Sequence, residues 1–200
     1  TAEERKKKMK NIAIIGSGSW GVALAIHLAK NGNKIKIWSF AQDEADLINN
    51  EKRCKFLPNA VIPENVECTT SFEDALNGAE LIFYPTAIGS EPILNVDSRR
   101  HWQRVMMGHS AANIVPVIAA NRIGLETVEP SEENGNQKSS LNFYGSSFMT
   151  DERGEILVEA GSDKEEILYQ EYDLDKIKED RLSWGLFRDR RPHCYQDITK

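Results

Sequence analysis

Short apolar runs alternate with stretches of helical periodicity along the first eighty residues, a pattern that predicts strands and helices in turn. Asn11–Ile15 is a compact apolar run suited to a buried parallel strand. Val22, Leu24, Ala25, Ile26, Leu28 and Ala29 then spread over a broad helical face, which predicts a helix to about Lys30 with Asn31-Gly32 as its stop. Lys34–Trp38 alternates like a second strand. Phe72–Ala79 reads as a helix ending at Asn77-Gly78, followed by a strand over Glu80–Tyr84. Beyond it, Pro85–Pro92 reads as a loop. Ser98–Ala112 carries Trp102, Val105, Met106 and His109 at helical spacing, with Asp97 or Ser98 as N-cap. Val115–Ala120 is an apolar strand, and Glu129–Ser140 a long polar loop. Leu141–Met149 and Glu155–Glu159 flank DERG and predict a hairpin with Gly154 in its turn. Glu166–Tyr172 reads as another strand, Asp173 as the cap of a charged helix over Asp175–Leu182, and Trp184–Tyr195 as an aromatic, arginine-rich tail.

Composition narrows the class. With 40% hydrophobic and 28% charged residues, the chain is globular in character and has enough apolar content for a core. A net charge of −6 argues against a nucleic-acid partner, which recruits basic faces. No apolar run approaches a membrane span, so no membrane partner is expected. Cys54, Cys68 and Cys194 have neither disulfide-framework nor zinc-site spacing, and a reduced, cytoplasmic setting follows as the expectation. Thr1–Lys8, with the run Lys6–Lys8, reads as an extension or tag.

The clearest chemistry lies between the first strand and the first helix. Gly16, Gly18 and Gly21 form GxGxxG in a strand–loop–helix–strand setting, where backbone N–H groups at a helix N-terminus receive a pyrophosphate. Other candidates are weaker. His101 and His109 share a helix without metal-ligand spacing, and His27 has no evident partner, so no metal site is expected. Arg188, Asp189, Arg190 and Arg191 interleave charges as an ion-pair network does, and Ser146-Ser147 lacks a nucleophile-elbow setting.

The segments GSGSWGVALAIHLAKNG, KIKIW, FLPNAVIPENV and TTSFEDALNGAELI resemble the N-terminal domain of NAD(P)-dependent glycerol-3-phosphate dehydrogenases, over roughly Met9–Ile82. The resemblance implies a cofactor site comprising Gly16, Gly18, Ser19, Trp20 and Gly21. It also places Phe40 where many relatives carry a basic residue for the 2′-phosphate of NADP. The missing basic residue leans to NAD, but no acid ends the second strand, Asp43 and Glu44 coming slightly late, so NADP stays open. The lysines and the helical substrate domain of that family follow the matched region and have no counterpart after Phe83.

FYPTAIGSEP, RHWQRVMMGHSAANIVPVIAANRIG, FYGSSFMTDERGEI and SWGLFRDRRPHCY resemble a different family, the nitrilase or carbon–nitrogen hydrolase superfamily, in its N-carbamoylputrescine amidohydrolase branch. This resemblance covers roughly Ala79–Asp197. It implies half of an α-β-β-α sandwich that associates through one face and its C-terminal segment, hence a homo-oligomer. The family's cysteine, lysine and glutamate precede the region of resemblance, where dehydrogenase-like sequence stands instead. Cys68 precedes a helix and strand as the family's nucleophile does, but Glu67 and Thr69-Thr70 do not match its neighbours.

The expectation is therefore an α/β chimera: an extension at 1–8, a Rossmann-like half at 9–82 and a hydrolase-like half at 83–200. The halves would share one continuous mixed sheet of about five to eight strands with helices on both faces. Three functions follow. The chain is a hybrid without catalytic residues that retains binding of NAD or NADP, or an amidase using Cys68, or an oligomerisation module without catalysis.

Overall fold

The computed structural model describes residues 9–90 and 96–185, together with residues 189, 191 and 194. The predicted opening unit forms as β1 (Asn11–Ile15), α1 (Ser19–Lys30) and β2 (Lys34–Trp38). A short helix α2 (Gln42–Asp46) runs into a π-helical turn at Leu47–Glu51, and β3 (Val66–Thr69) follows. Helix α3 (Phe72–Leu76) is capped by Ser71, whose Oγ accepts from the Asp74 N–H at 3.1 Å. Strand β4 spans Leu81–Thr86.

The remaining elements are β5 (Gly89–Ser90), α4 (Arg99–Asn113), β6 (Val117–Asn121), β7 (Ile123–Val128), β8 (Ser139–Tyr144), β9 (Phe148–Thr150), β10 (Ile156–Glu159) and α5 (Leu174–Ser183). Asp173 caps α5 as predicted, accepting from the Lys176 N–H.

Seven strands make one mixed sheet in the order β10-β9-β6-β4-β1-β2-β3. The run from β3 to β6 is parallel, β9 adds antiparallel to β6, and β10 adds antiparallel to β9. Strand β4 is the joint. It pairs with β1 through Ile12↔Leu81, Ala13↔Ile82 and Ile14↔Phe83, and with β6 from Ile82↔Val117 to Thr86↔Asn121. Pro85, which has no N–H to give a ladder, lies past the last β1 pair.

Two apolar clusters occupy opposite faces. Under α1, Ile12, Ile14, Ile35, Ile37, Val66 and Cys68 meet Val22 and Ala25. Under α4, Ile82, Tyr84, Val117, Ala119 and Phe148 meet Trp102, whose ring stands edge-on to Phe148 at 5.4 Å. The pleat interlocks them: Phe83 of β4 packs on the first cluster, and Ile15 of β1 on the second. Between α3 and α4 a cavity of about 770 Å³ stays open, lined in part by Phe72, Leu76, Ile82 and Val115. Arg181 of α5 closes its floor, donating to the carbonyls of Asn113 (3.1 Å) and Ala79 (2.9 and 3.1 Å).

Several expectations need correction. The stretch read as a loop from Pro85 instead continues β4 to Thr86 and forms β5, while residues 91–92 lie outside the described residues. Leu141–Met149 is two strands, not one. Gly145 and Ser146, at φ +57° and +49°, break it, so β8 joins a separate sheet, β5-β8-β7, and β9 joins the main one. Strand β7 was not foreseen. Glu166–Tyr172 forms no strand: Ile167 and Tyr169 are exposed, and the Tyr172 hydroxyl donates to the Thr150 carbonyl instead of the backbone pairing with an edge. Cys54, amid the charged residues Glu51, Lys52, Arg53 and Lys55, is buried in the first cluster. The tail from Trp184 lies largely outside the described residues, as do Arg188 and Arg190.

If the sheet is one cooperative unit, a defect in the α4 cluster must lower the stability of the whole chain. Phe148→Ala removes a fully buried ring and is expected to cost about 3–5 kcal/mol. Denaturant unfolding followed by tryptophan fluorescence and far-UV circular dichroism should shift as a single transition. Two transitions, only one of them moved by the substitution, would show that the halves unfold separately.

Candidate functional site

The glycine loop turns where β1 ends. Gly16 takes φ +123°, a conformation closed to other residues, and its N–H donates to the Trp38 carbonyl at 3.0 Å, tying the loop to the end of β2. A Cβ on Gly21 would lie 2.1 Å from the Gly16 carbonyl oxygen, so α1 reaches its position against the loop only with glycine there. Gly18 is the N-cap of α1 and has no capping side chain. A Cβ built on Gly18 meets nothing within 4 Å, which leaves open space directly over the first turn. Ser19 and Trp20 are exposed beside it, and the first-turn N–H groups have no partners within the helix. Donors, partial positive charge and empty volume coincide here, which is what an anion at a helix N-terminus requires.

The chain order in the sheet reverses between β1 and β4, and a crevice at such a switch point lies at the carboxyl ends of the strands. Here that crevice is a cleft of about 840 Å³ whose walls come from both halves of the chain. Ser19 and Trp20 stand on one side, with Thr86, Asn121, Arg122 and Lys164 among the residues on the other. Asn121 holds the second wall together. Its Nδ2 donates to the carbonyls of Ile88 (2.9 Å) and Gly145 (3.0 Å), and its Oδ1 accepts from the Ile88 N–H and the Thr86 hydroxyl. Its own N–H donates to Ser147 Oγ at 2.9 Å, so one side chain and its backbone join the β4–β5 and β8–β9 connections. Arg122 lies over the Phe143 ring and pairs with Glu126.

At the other end of the glycine loop is a feature not read from the sequence. Glu44, on α2, turns its carboxylate back toward the loop. Oε2 accepts from Ser17 Oγ at 2.5 Å and from Ser39 Oγ at 3.2 Å, while Oε1 pairs with Lys55 Nζ at 2.9 Å. The two hydroxyls also lie 2.7 Å apart. The hydrogen bond from Ser17, and then that from Lys55, hold the Glu44 carboxyl below the usual carboxylate range, and Glu44 in turn raises the Lys55 ammonium. The carboxylate is therefore ionised at neutral pH, and this contribution to stability is lost only as the pH falls through the lowered value. Phe40, next to Ser39, is 90% exposed and lines none of this cleft.

The residues singled out in the sequence thus separate in space. Gly16, Gly18, Ser19, Trp20 and Gly21 come together, and Phe40 stands apart at the end of β2. Cys68 lies inside β3, buried, and burial pushes its thiol up to about 12. The Cys54 thiol donates to the Ser17 carbonyl at 3.8 Å. His109 packs between Phe72 and Tyr84, with ring centroids 6.4 and 6.0 Å away. Among the described residues no three His, Cys, Asp or Glu side chains converge as metal ligands, and no helix is long and apolar enough to cross a membrane.

Comparison with known proteins gives two overlapping family matches along the chain. Residues 11–101 match the family model for the NAD-dependent glycerol-3-phosphate dehydrogenase N-terminus, and residues 71–182 match the carbon-nitrogen hydrolase model. An N-carbamoylputrescine amidase of Oryza sativa subsp. japonica is 53% identical over 131 residues, 65% of this chain and 42% of that protein. A glycerol-3-phosphate dehydrogenase [NAD(P)+] of Fusobacterium nucleatum is 40% identical over 90 residues, 44% of this chain and 26% of that protein. Among solved structures, a carbon-nitrogen hydrolase from Helicobacter pylori G27 superposes with a TM-score of 0.52 at 37% identity, covering 62% of this chain and 42% of its own. The chain thus spans less than half the length of the curated relatives it matches. With more than half of its residues inside the hydrolase match, the chain belongs to the carbon–nitrogen hydrolase family and carries a dehydrogenase-type glycine loop in the same sheet.

Proposed function

We propose that this chain is a hybrid that binds a nicotinamide dinucleotide, NAD or NADP, at Gly16–Gly21 and carries out the reaction of neither family. The observation that carries this reading is the glycine loop itself. Gly21 admits α1 against the Gly16 carbonyl, and the space over Gly18 is empty. A pyrophosphate on Gly18, Ser19 and Trp20 would direct one nucleoside toward Ser39 and Phe40 and the other into the cleft beside Trp20 and Thr86. The match to a dehydrogenase N-terminal segment supports the same ligand.

Family membership makes amide hydrolysis the second reading. Its requirement is an activated thiolate next to a base. Cys68 meets neither condition, with its thiol near 12 inside a strand. Cys54 is buried against a backbone carbonyl. Binding needs only a local loop, and that loop is complete.

Two measurements separate the readings. Saturating NADH at about a hundred times its dissociation constant adds roughly 2.7 kcal/mol to a native state that alone binds it. The melting temperature should then rise by about 5–10 °C. Gly18→Val should abolish the rise while leaving the ligand-free melt close to wild type, because a Cβ at Gly18 meets no protein atom within 4 Å. An unchanged melt with NADH would refute the dinucleotide reading. Incubation with N-carbamoylputrescine should release no ammonia, and release that disappears with Cys68→Ser would establish the amidase instead.

A further inference from the structure

Resting on the dinucleotide reading, we propose that Glu44, carried by α2, is the residue that selects the cofactor. In this role it reads an unmodified adenosine ribose and excludes one that bears a 2′-phosphate. The position of its carboxylate is the starting point. Oε2 is held between Ser17, inside the glycine loop, and Ser39, the first residue past β2. That corner between loop and second strand is where a strand–loop–helix–strand unit receives the adenosine ribose. The strand supplies no acid of its own there, since Ser39 and Phe40 follow Trp38. Helix α2 returns one from the far side.

Valence and charge agree with that role. An ionised carboxylate offers about four acceptor sites. Ser17, Ser39 and Lys55 occupy three, and one remains on Oε1 for a ribose hydroxyl. A 2′-phosphate would instead set a second anion against the first, in a partly buried corner where screening is weak. Lys55 does not relieve the clash, because its ammonium already pairs with Glu44 at 2.9 Å, and Asp43 adds negative charge beside it. Phe40, exposed at the mouth of the corner, brings no cation.

The test is the binding of NADH and of NADPH, by titration calorimetry, to the wild type, Glu44→Gln and Phe40→Arg. The wild type should favour NADH at least tenfold. Glu44→Gln should weaken NADH and collapse the preference to within about threefold, and Phe40→Arg should raise NADPH affinity about tenfold. The ratio is the informative quantity, because a merely structural role for Glu44 would weaken both cofactors alike. Equal affinities in the wild type, or a ratio unchanged by Glu44→Gln in a protein with native circular dichroism, would overturn the role of Glu44 while leaving the binding site in place. Should Glu44→Gln not fold, Phe40→Arg decides, since unimproved NADPH binding would place the ribose elsewhere and overturn the inference. Failure of the wild type to bind either cofactor would overturn the dinucleotide reading, and this inference with it.

Discussion

Everything in this structure depends on one strand being paired on both edges. β4 takes β1 on one side and β6 on the other, and the two neighbours come from segments that match different families. A strand in the middle of a parallel sheet must satisfy its backbone on both edges and bury both faces. The sequence Leu81–Thr86 meets the second demand by alternation: Ile82 and Tyr84 belong to the α4 cluster, while Phe83 packs on the α1 cluster. Had the joint fallen one residue out of register, each of these side chains would face the wrong helix. The two family matches overlap over residues 71–101, which contain α3 and β4 entire. The joint therefore lies inside a helix–strand unit that suits either sheet.

From that pairing the rest follows in layers. Because β4 is shared, the order of strands reverses between β1 and β4, and the cleft at their carboxyl ends is forced to draw one wall from each family. Asn121 holds the hydrolase wall together by answering the polar groups of two loops at once. At the opposite end of the sheet the fit is less complete. Helix α3 has only five residues, and a cavity stays open between it and α4 over Ile82. Arg181 partly compensates by fastening α5 to the start of β4 and the end of α4. Desolvation lowers its pKa, the cost of placing a guanidinium there. Local agreement at β4 coexists with a gap in the helical layer, as expected where two elements were shaped for different neighbours.

How much of this was legible depended on how local each feature is. β1, α1 and β2 could be read because periodicity, stop signals and the glycine pattern all lie within thirty residues. The caps at Ser71 and Asp173 were equally local, although only the second was read. Strand β7 was hidden because its apolar residues, Ile123, Leu125 and Val128, do not keep a two-residue alternation, and every residue after Ile123 is exposed. The break at Gly145-Ser146 was masked by apolar residues on both sides, and only the positive φ angles reveal it. The strand expected at Glu166–Tyr172 shows the opposite error, since its apolar pattern is present but no sheet edge accepts it. The site divides the same way. Gly16–Gly21 was evident, whereas Glu44 was set aside for coming too late after β2, because linear distance says nothing about a helix that turns back. Asn121 gave no signal at all, since its partners lie on loops 24 to 35 residues away.

The same distinction separates what a phosphate cradle requires from what catalysis requires. A phosphate cradle is built from consecutive residues, and its donors are backbone N–H groups that any sequence retains once Gly16 and Gly21 set the turn. A catalytic thiolate, by contrast, needs a base and an orienting group delivered from separate elements, each correct to a fraction of an ångström. Cys68 illustrates the difference. Its place in the chain order is compatible with a nucleophile, yet β3 buries its thiol and pushes it up to about 12. Lowering that value would require opening the α1 cluster around it, and with it the packing of Ile37 and Val66 that holds β2 and β3 to the sheet. The packing that holds β3 to the sheet is thus the same packing that buries Cys68.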